Sequence, residues 1–387
     1  MWRCPARPPA SGPGCGTPPV RLPERLRGLL RLGGVLGTPR PTRRRGPVTH
    51  VVIMDGTMSS LAEGLETNAG LTYKLLCELV PARDLSLWYE SGIPWQGWRR
   101  AVDVIAGKGI NQRIRDAYGF VASRYRPGDR IFLMGFSRGA YAARSLAGVI
   151  DQVGLLRAEH ATERNIREVY RHYQGTPGSV ASQAFARAFC YPEAPIEMVG
   201  VWDTVKALGI NMPLLWRLSP MATEFHNHHV GGSIRHAFHA LALAERRVAY
   251  EPVLWESRPG WGGHLEQVWF RGTHGDVGGH LSGFERARPL ANIPLVWMLE
   301  RMEGCGLMLP EGWRARFPQD AGAPSVGMWR GWGKFFLWRR ARRFGADPSE
   351  RLHPTAAGYR FRGWRRARAM TGRAPEAYPE KDQEKGV

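Results

Sequence analysis

The fold of this chain is most clearly indicated by the segment Arg130-Ile-Phe-Leu-Met-Gly-Phe-Ser-Arg-Gly139. It begins as an apolar run typical of a buried strand and ends in a Gly-x-Ser-x-Gly pentapeptide, after which helical spacing continues to Ile150. Such a turn between strand and helix lifts the serine hydroxyl above the sheet, and its glycines avoid collisions with the adjoining elements. The helix N-terminus behind the turn favours developing negative charge. The pattern therefore predicts a nucleophile at Ser137.

Strands and helices alternate on both sides of this turn. Strands are predicted at 49–54, 85–89, 130–134, 196–201 and 267–270. Further helices are predicted at 71–80, 111–125, 162–173, 233–245 and 293–304. This alternation is typical of the α/β class, with a mostly parallel central sheet and helices on both faces. We predict one catalytic domain at 49–368, flanked by an Arg/Pro-rich disordered tail at 1–48 and a flexible charged tail at 369–387.

Two later strand ends supply the residues that a serine nucleophile needs. A serine hydroxyl is weak by itself and requires a base oriented by an acid. Asp203 follows one strand in Val199-Gly-Val-Trp-Asp-Thr-Val205, and His274 follows another in Val268-Trp-Phe-Arg-Gly-Thr-His274. This is the chain order of α/β-hydrolases, and catalytic groups collect at the carboxyl edge of parallel sheets. We therefore expect a triad of Ser137, Asp203 and His274.

Alternatives remain for the acid and the base. Asp276 and His280 lie in the same Gly-rich loop as His274, and His353 is a more distant alternative base. Because His280 follows two glycines, it is less well anchored than His274.

The oxyanion hole is expected to use backbone N–H groups. One belongs to Arg138, the residue after the nucleophile. The second is assigned to Gly56 or Thr57, because glycine lets the backbone approach a ligand closely. Asp55, just before them, has two interpretations, a catalytic role and a side-chain cap on its own turn.

The formal net charge of +20 at first favours a nucleic-acid binder. Residues 1–48 carry ten Arg and one Glu, and residues 329–387 carry 15 Lys and Arg against six Asp and Glu. The chain between them keeps a net charge of only +2. The basicity therefore belongs to the two ends, which argues against nucleic acid as the partner of the core.

Five cysteines, none of them in a Cys-x-x-Cys pair, indicate a reducing compartment without a disulfide framework. The trio His226, His228 and His229 has no obvious carboxylate partner and is interpreted as a polar loop, so no metal and no cofactor are expected. No signal peptide or membrane-spanning segment is recognisable, which predicts a cytoplasmic location, with signal-independent secretion left open. Nothing in the sequence specifies an oligomeric state.

Several longer motifs resemble one known family. They are Met54-Asp-Gly-Thr57, Gly135-Phe-Ser-Arg-Gly-Ala-Tyr-Ala-Ala-Arg-Ser-Leu-Ala-Gly148, Gly200-Val-Trp-Asp-Thr-Val205, His239-Ala-Leu-Ala-Leu243, Gln267-Val-Trp-Phe-Arg-Gly-Thr-His-Gly-Asp-Val-Gly-Gly279 and Leu352-His-Pro-Thr355. In this order they resemble α/β-hydrolase-like proteins that include the phospholipase effectors of bacterial type VI secretion systems. The resemblance covers roughly 49–362.

The resemblance implies an α/β-hydrolase fold and a serine hydrolase of lipid or other carboxylic esters, with Ser137 as nucleophile, Asp203 as acid and His274 as base. Two positions depart from the family pattern: Arg271 replaces a common Pro, and Ala244-Glu245 replaces an Asp-Glu pair. The chain also lacks the large extra domain of the bigger secreted effectors, which places an effector role in doubt.

The region 329–343 mixes tryptophan, phenylalanine and arginine. Trp329, Trp332 and Phe336 recur at helical spacing, followed by Arg339, Arg340 and Arg343. This composition suits an anionic membrane surface and would also suit nucleic acid. The favoured interpretation is a terminal helix that packs its aromatic face on the core and leaves its arginines in solvent. The apolar insertion after Asp203, within 204–230, is either a lid over an acyl pocket or ordinary core.

The leading hypothesis is a serine esterase or lipase, with phospholipid acyl esters as one substrate class. The alternative is a non-catalytic α/β-hydrolase-fold protein that binds or regulates. A basic nucleic-acid binder is the third hypothesis.

Overall fold

The apolar runs of the sequence become the strands of one sheet. The fold is described from a computed structural model covering residues 46–57, 59–80, 84–92, 109–205, 229–329 and 338–356. The strands are Thr49–Met54 (β1), Leu85–Glu90 (β2), Arg130–Phe136 (β3), Ile196–Trp202 (β4), Ile234–Ala242 (β5), His264–Phe270 (β6) and Glu350–Leu352 (β7). They lie in the order β2-β1-β3-β4-β5-β6-β7, and all neighbours are parallel.

Helices connect and cover these strands, as parallel pairing requires. They are Asn68–Cys77 (α1), Ile110–Ala122 (α2), Arg138–Gln152 (α3), Glu163–Gln174 (α4), Val180–Phe189 (α5), His274–Gly278 (α6) and Arg288–Gly304 (α7). The α/β fold predicted from the sequence is confirmed by this architecture.

The central strands are buried because helices cover both sides. Every residue of β1 is buried, as is all of β3 after Arg130. Helix α3 begins directly after Ser137 and buries eleven residues, Gly139 to Ile150 with Tyr141 excepted. A helix buried on nearly every side fixes its N-terminus firmly, and that terminus carries the serine.

One predicted element is wrong. The region 233–245 was expected to be a helix, but Ile234–Ala242 is strand β5, paired with β4 and β6. Its Ala and Leu content favours a helix by intrinsic propensity. However, propensity is a weak preference that burial between two strands overrides. Three elements, α5, α6 and β7, were not predicted; α6 has five residues and lies in the expected Gly-rich loop, and β7 has three.

Several predictions concern segments outside the described residues. These are most of the tail at 1–48, the lid or core segment at 206–228 with His226 and His228, the helical spacing at 330–337, and everything after 356, including the boundary at 368. Within the described part, no helix combines the length and the apolar character that a bilayer crossing demands.

Candidate active site

The serine turn, residues 135–139, forces Ser137 into an unusual backbone conformation. Ser137 has φ 58° and ψ −119°, a region that side chains rarely adopt. The turn tolerates no extra volume, because a Cβ on Gly139 would lie 2.0 Å from the Met54 carbonyl oxygen. Close packing of strand and helix thus holds the serine at the carboxyl edge of the sheet, at the N-terminus of α3.

The three residues of the expected triad meet at this edge. His274 Nε2 lies 2.9 Å from Ser137 Oγ, and His274 Nδ1 lies 2.6 Å from Asp203 Oδ2. All three side chains are buried, with Ser137 7% exposed. Because an ionised carboxylate only accepts, Nδ1 carries the proton, and Nε2 is left to accept from the serine hydroxyl. This arrangement can withdraw a proton from Ser137.

Asp203 is fixed by more than His274. It follows β4 with φ 43°, and its Oδ1 accepts from the backbone N–H of Ala242 at 3.0 Å. Arg342 donates to both carboxylate oxygens, at 2.5 Å to Oδ1 and 2.9 Å to Oδ2. The acid is therefore a bidentate partner of a guanidinium as well as the partner of the imidazole.

The protonation of Asp203 follows from these contacts. Burial alone would raise its pKa, but the charge of Arg342 and the hydrogen bonds from His274 and Arg342 outweigh burial. The pKa of Asp203 is held well below its usual range, so the carboxylate stays ionised at neutral pH.

A second carboxylate supports His274 from its backbone side. Glu245 Oε2 accepts from the His274 N–H at 3.1 Å and from Arg247 Nη2 at 2.6 Å. Burial opposes ionisation of Glu245, but the hydrogen bonds and charge of Arg247 lower its pKa to about 2. We call Asp203, Glu245, Arg247, His274 and Arg342 the acid–histidine cluster. The negative charges of its two carboxylates offset the positive charges of its two guanidinium groups.

Aromatic rings fix the plane of the imidazole. Phe136 lies 4.8 Å from His274 between ring centroids and Tyr250 lies 4.7 Å away, each inclined by 31°. A ring held by two neighbours and two hydrogen bonds has little freedom to turn. His274 is thus preorganised toward Ser137.

The strand-end loop at 55–57 lies beside the serine. A Cβ on Gly56 would come within 3.5 Å of Ser137 Cβ, which places this backbone next to the nucleophile. However, the Gly56 N–H already donates to Asp55 Oδ1 at 2.6 Å. Of the two expected second oxyanion donors, Thr57 is therefore the better candidate.

Asp55 caps its own turn, one of its two expected interpretations. Besides Gly56, its carboxylate accepts from Thr67 Oγ1 at 2.6 Å and Tyr89 Oη at 2.7 Å. Burial raises the pKa of Asp55 in spite of these hydrogen bonds. Its contacts tie β1 to β2 and to the start of α1.

Two of the alternatives, Asp276 and His353, make hydrogen bonds outside the triad. Asp276 lies in the first turn of α6 and accepts from Thr273 N–H at 2.7 Å and Val326 N–H at 2.7 Å, so it anchors a loop. His280 follows α6, and burial lowers its pKa to about 4. His353 follows β7, stacks on Phe270 at 4.6 Å and lies 2.8 Å from Thr355 Oγ1.

Sequence reasoning missed Arg342, Arg247 and the use of Glu245. Glu245 carried a signal, since it belongs to the Ala244-Glu245 pair that departs from the family pattern, and Arg247 lies two residues after it. Arg342 carried none that separated it from its arginine neighbours. Among the described residues, no group of three or more His, Cys, Asp or Glu side chains is arranged to hold a metal ion.

Comparison with known proteins identifies the family. Residues 49–301 match the model of the family described as the catalytic domain of Tle1-like phospholipase effectors of the type VI secretion system. The chain belongs to this family. The resemblance noted in the sequence is thereby confirmed, and Tle1-like membership supports a lipid-hydrolase function.

The relatives of this Tle1-like chain are distant. An uncharacterized protein of Saccharomyces cerevisiae is 29% identical over 235 residues, which cover 54% of this chain and 33% of the yeast protein. The chain thus spans about a third of that relative.

Two solved structures are also similar. A protein of Pseudomonas aeruginosa, described as uncharacterized, has a TM-score of 0.40 and 14% identity over 72% of this chain and 52% of its own. The Tle1 effector bound to the VgrG spike has a TM-score of 0.30 and 20% identity over 61% of this chain and 51% of its own. The chain spans about half the length of each.

Proposed function

We propose that this chain is a serine hydrolase that cleaves carboxylic acyl esters of lipids or phospholipids through Ser137, His274 and Asp203. One observation carries the proposal: the hydroxyl, imidazole and carboxylate form a continuous row of hydrogen bonds of 2.9 and 2.6 Å. The same row ends at the N-terminus of a buried helix, where negative charge is stabilised. Membership of a phospholipase effector family supports lipids as the substrate class.

In the first half of the reaction, Ser137 Oγ attacks the ester carbonyl carbon. His274 Nε2 takes the hydroxyl proton as the new carbon–oxygen bond forms, and the ionised Asp203 stabilises the imidazolium. Collapse of the tetrahedral intermediate breaks the bond to the alcohol, which receives the proton from His274. An acyl group remains on Ser137.

Backbone N–H groups stabilise the oxyanion of that intermediate. The first proposed donor is the Arg138 N–H, because Arg138 directly follows the nucleophile and is the first residue of α3. Thr57 N–H is the proposed second donor, because the neighbouring Gly56 N–H is engaged by Asp55. Two donors aimed at the developing charge are worth several kcal/mol of barrier, on the order of 3 kcal/mol each.

In the second half of the reaction, a water molecule takes the place of the serine hydroxyl as the attacking nucleophile. His274 removes a proton from the water, which attacks the acyl carbon, and then returns the proton to Ser137 as the acid leaves. The proposed chemistry uses no cofactor, since every proton moves between water, substrate and the three side chains.

A fluorophosphonate probe tests the nucleophile. Wild-type protein should be labelled and Ser137→Ala should not, with Ser145→Ala on the same helix as the matched control that keeps its labelling. Release of fatty acid from phosphatidylglycerol, phosphatidylethanolamine and p-nitrophenyl butyrate then reports the substrate class. Normal labelling of Ser137→Ala would refute the assignment of the nucleophile.

The non-catalytic alternative makes a different prediction. It requires no probe labelling and no hydrolysis of any acyl ester, with lipid binding that survives Ser137→Ala. The short Ser137–His274 and His274–Asp203 distances argue against it, since a pure binding protein has no need of that geometry.

We also propose that the described ends of the 329–343 region contact an anionic membrane surface. Trp329 is 59% and Trp338 64% exposed, and the Arg339 guanidinium lies 4.5 Å from the Trp329 ring centroid. Exposed tryptophan beside arginine suits the interface of an anionic bilayer. Vesicles containing phosphatidylglycerol should bind wild type more strongly than the Trp329→Ala/Trp338→Ala variant, whereas equal binding would contradict this contact.

The cytoplasmic location expected from the sequence stays a prediction.

A further inference from the structure

Arg342 reaches the acid of the site from a segment beyond the matched catalytic domain. Its guanidinium donates to Asp203 Oδ1 at 2.5 Å and Oδ2 at 2.9 Å, and its side chain is 5% exposed. The family match ends at residue 301, so Arg342 lies forty-one residues past it. Fork-to-fork contact of this kind fixes both the position and the rotation of a carboxylate.

The backbone around Arg342 is tied down next to the site. Trp338 carbonyl oxygen accepts from Val248 N–H at 3.1 Å, and Arg340 N–H donates to Arg246 carbonyl oxygen at 2.7 Å. The guanidinium itself also donates to the carbonyl oxygens of Ala242 at 2.8 Å and Tyr250 at 2.5 Å. Arg342 is therefore held by the same segment that carries Glu245.

The charge of this contact matters for the base. A lone buried carboxylate favours the protonated form of an imidazole hydrogen-bonded to it, because opposite charges attract strongly away from water. A guanidinium on the other side of the carboxylate offsets that attraction. The Asp203–Arg342 pair then presents His274 with an oriented acceptor of nearly zero net charge.

We propose that Arg342 is a positioning residue that orients Asp203 and, by balancing its charge, keeps His274 unprotonated at a lower pH than Asp203 alone would allow. The inference rests on the proposed serine-hydrolase function. It gives the arginine-rich C-terminal segment a part in catalysis, acting through Asp203 without touching substrate.

The other charged and titratable groups around the pair keep one state near neutral pH. Burial lowers the pKa of His239 to about 3 and of His280 to about 4. Glu245 is also ionised, and its pKa is lowered to about 2. The groups from neighbouring elements that contact or interact electrostatically with His274 or Asp203 are His239, Glu245, Arg247, Tyr250 and His280. A shift in the acid limb of activity therefore reports on His274 and Asp203.

The test is the pH profile of kcat/KM for p-nitrophenyl butyrate in wild type, Arg342→Gln and Arg342→Lys. In Arg342→Gln we expect the acid limb to move up by about one pH unit, with activity at neutral pH reduced by about tenfold. In Arg342→Lys the limb should return close to that of wild type, because charge is restored. Its maximal rate should stay below wild type, because an ammonium is not a bidentate fork.

Arg351→Gln is the matched control. Arg351 lies on β7 in the same C-terminal segment and donates to the carbonyl oxygens of Pro348 and Glu350. Its variant loses the same charge and should keep the wild-type profile. A lower rate in Arg342→Gln with an unmoved acid limb would overturn the proposal, because it would indicate a structural role alone. If Arg342→Gln does not fold, Arg342→Lys still tests the proposal. A maximal rate and an acid limb equal to those of wild type in Arg342→Lys would overturn it.

A second measurement separates this inference from the proposed function. The proton on His274 Nδ1, hydrogen-bonded to Asp203, gives a downfield ¹H NMR resonance that is identified by its loss in His274→Gln. Its titration midpoint should be higher in Arg342→Gln than in wild type. Absence of hydrolysis by wild type would refute the proposed function, and the NMR midpoints would still decide the role of Arg342.

Discussion

Ser137 is positioned by close packing of the backbone around it, whereas Asp203 and His274 are positioned by hydrogen bonds and ion pairs with residues far along the chain. The serine turn depends on the packing of β3 and α3 against the end of β1, and the Ser137 N–H donates to the Trp202 carbonyl oxygen at 3.0 Å. The acid–histidine cluster needs Ala242, Glu245 and Arg342, the last of which is 139 residues away from Asp203. The serine turn thus depends on steric packing, and the acid–histidine cluster depends on the balance of buried charges.

The two halves of the site should therefore be sensitive to different kinds of mutation. Added side-chain volume should disrupt the serine turn, whereas a nearby substitution that removes a charge without adding volume should leave the turn intact. Charge imbalance should disrupt the acid–histidine cluster, because its four ionised groups are buried and compensate each other. Mutations that change volume alone and charge alone can therefore separate the two.

The largest expected effect is on the serine turn. In Gly139→Ala the new Cβ would lie 2.0 Å from the Met54 carbonyl oxygen and 2.5 Å from that of Asp55, both backbone atoms. Since backbone cannot move aside cheaply, we expect a loss of about 4 kcal/mol or more in the free energy of unfolding. Urea denaturation measures it. Gly262→Ala, where no atom lies within 4 Å, is the control and should be near neutral; similar curves for both variants would contradict the steric account.

The next largest effect is expected from removing the negative charge of Asp203. Asp203→Asn keeps the shape of the side chain but leaves Arg342 buried beside a neutral group, which should cost about 3 kcal/mol or more of stability. Hydrolytic activity should fall by about 10⁴, because the amide no longer stabilises the imidazolium.

The double variant Asp203→Asn/Arg342→Gln sharpens this prediction. Removing both charges should restore part of the lost stability, with a coupling free energy of about 2 kcal/mol, but no activity. Urea unfolding of the single and double variants gives the coupling. Simply additive losses would mean that the ion pair contributes nothing to folding.

The same contrast explains what the sequence could predict. Ser137 was predictable because its pattern is local: a strand, two glycines and a helix within about twenty residues. Asp203 and His274 were predictable as strand-end residues in a fixed order, and the structure brings their side chains to Ser137. Their catalytic roles stay a proposal.

Long-range contacts were not predictable in this way. Arg342 differs from Arg339, Arg340 and Arg343 only in where the folded chain places it. Strand β5 was assigned to a helix because local composition does not reveal that β4 and β6 will lie on either side of it. Burial and pairing, which decide both cases, are properties of the whole fold.

A smaller effect is expected on the pH dependence of the free energy of unfolding, through the buried His239. Burial lowers the pKa of His239 to about 3, and its Nε2 accepts from Thr204 N–H at 3.0 Å. The unfolded chain binds a proton near its ordinary value of about 6.5, so stability is unaffected above that pH and falls as pH drops toward 3. Between neutral pH and pH 5 the loss should be about 2 kcal/mol.

Urea midpoints at several pH values measure this slope. His239→Gln should flatten it, while His229→Gln, which alters a half-exposed imidazole, should leave it unchanged. An unchanged slope in His239→Gln would show that other groups, such as His280, dominate acid destabilisation. This prediction extends the charge argument from the acid–histidine cluster to the strand that supports Asp203.

The smallest effect returns to the serine turn and tests whether its strain is real. With φ 58° and ψ −119°, position 137 favours glycine, which adopts positive φ without a Cβ penalty. Ser137→Gly and Ser137→Ala both lose the nucleophile, but only glycine relieves the backbone. We therefore expect Ser137→Gly to be more stable than Ser137→Ala by about 1 kcal/mol. The opposite order, measured by thermal unfolding, would mean that the turn holds its serine without strain. In that case packing against Gly139 alone would account for the geometry of the nucleophile.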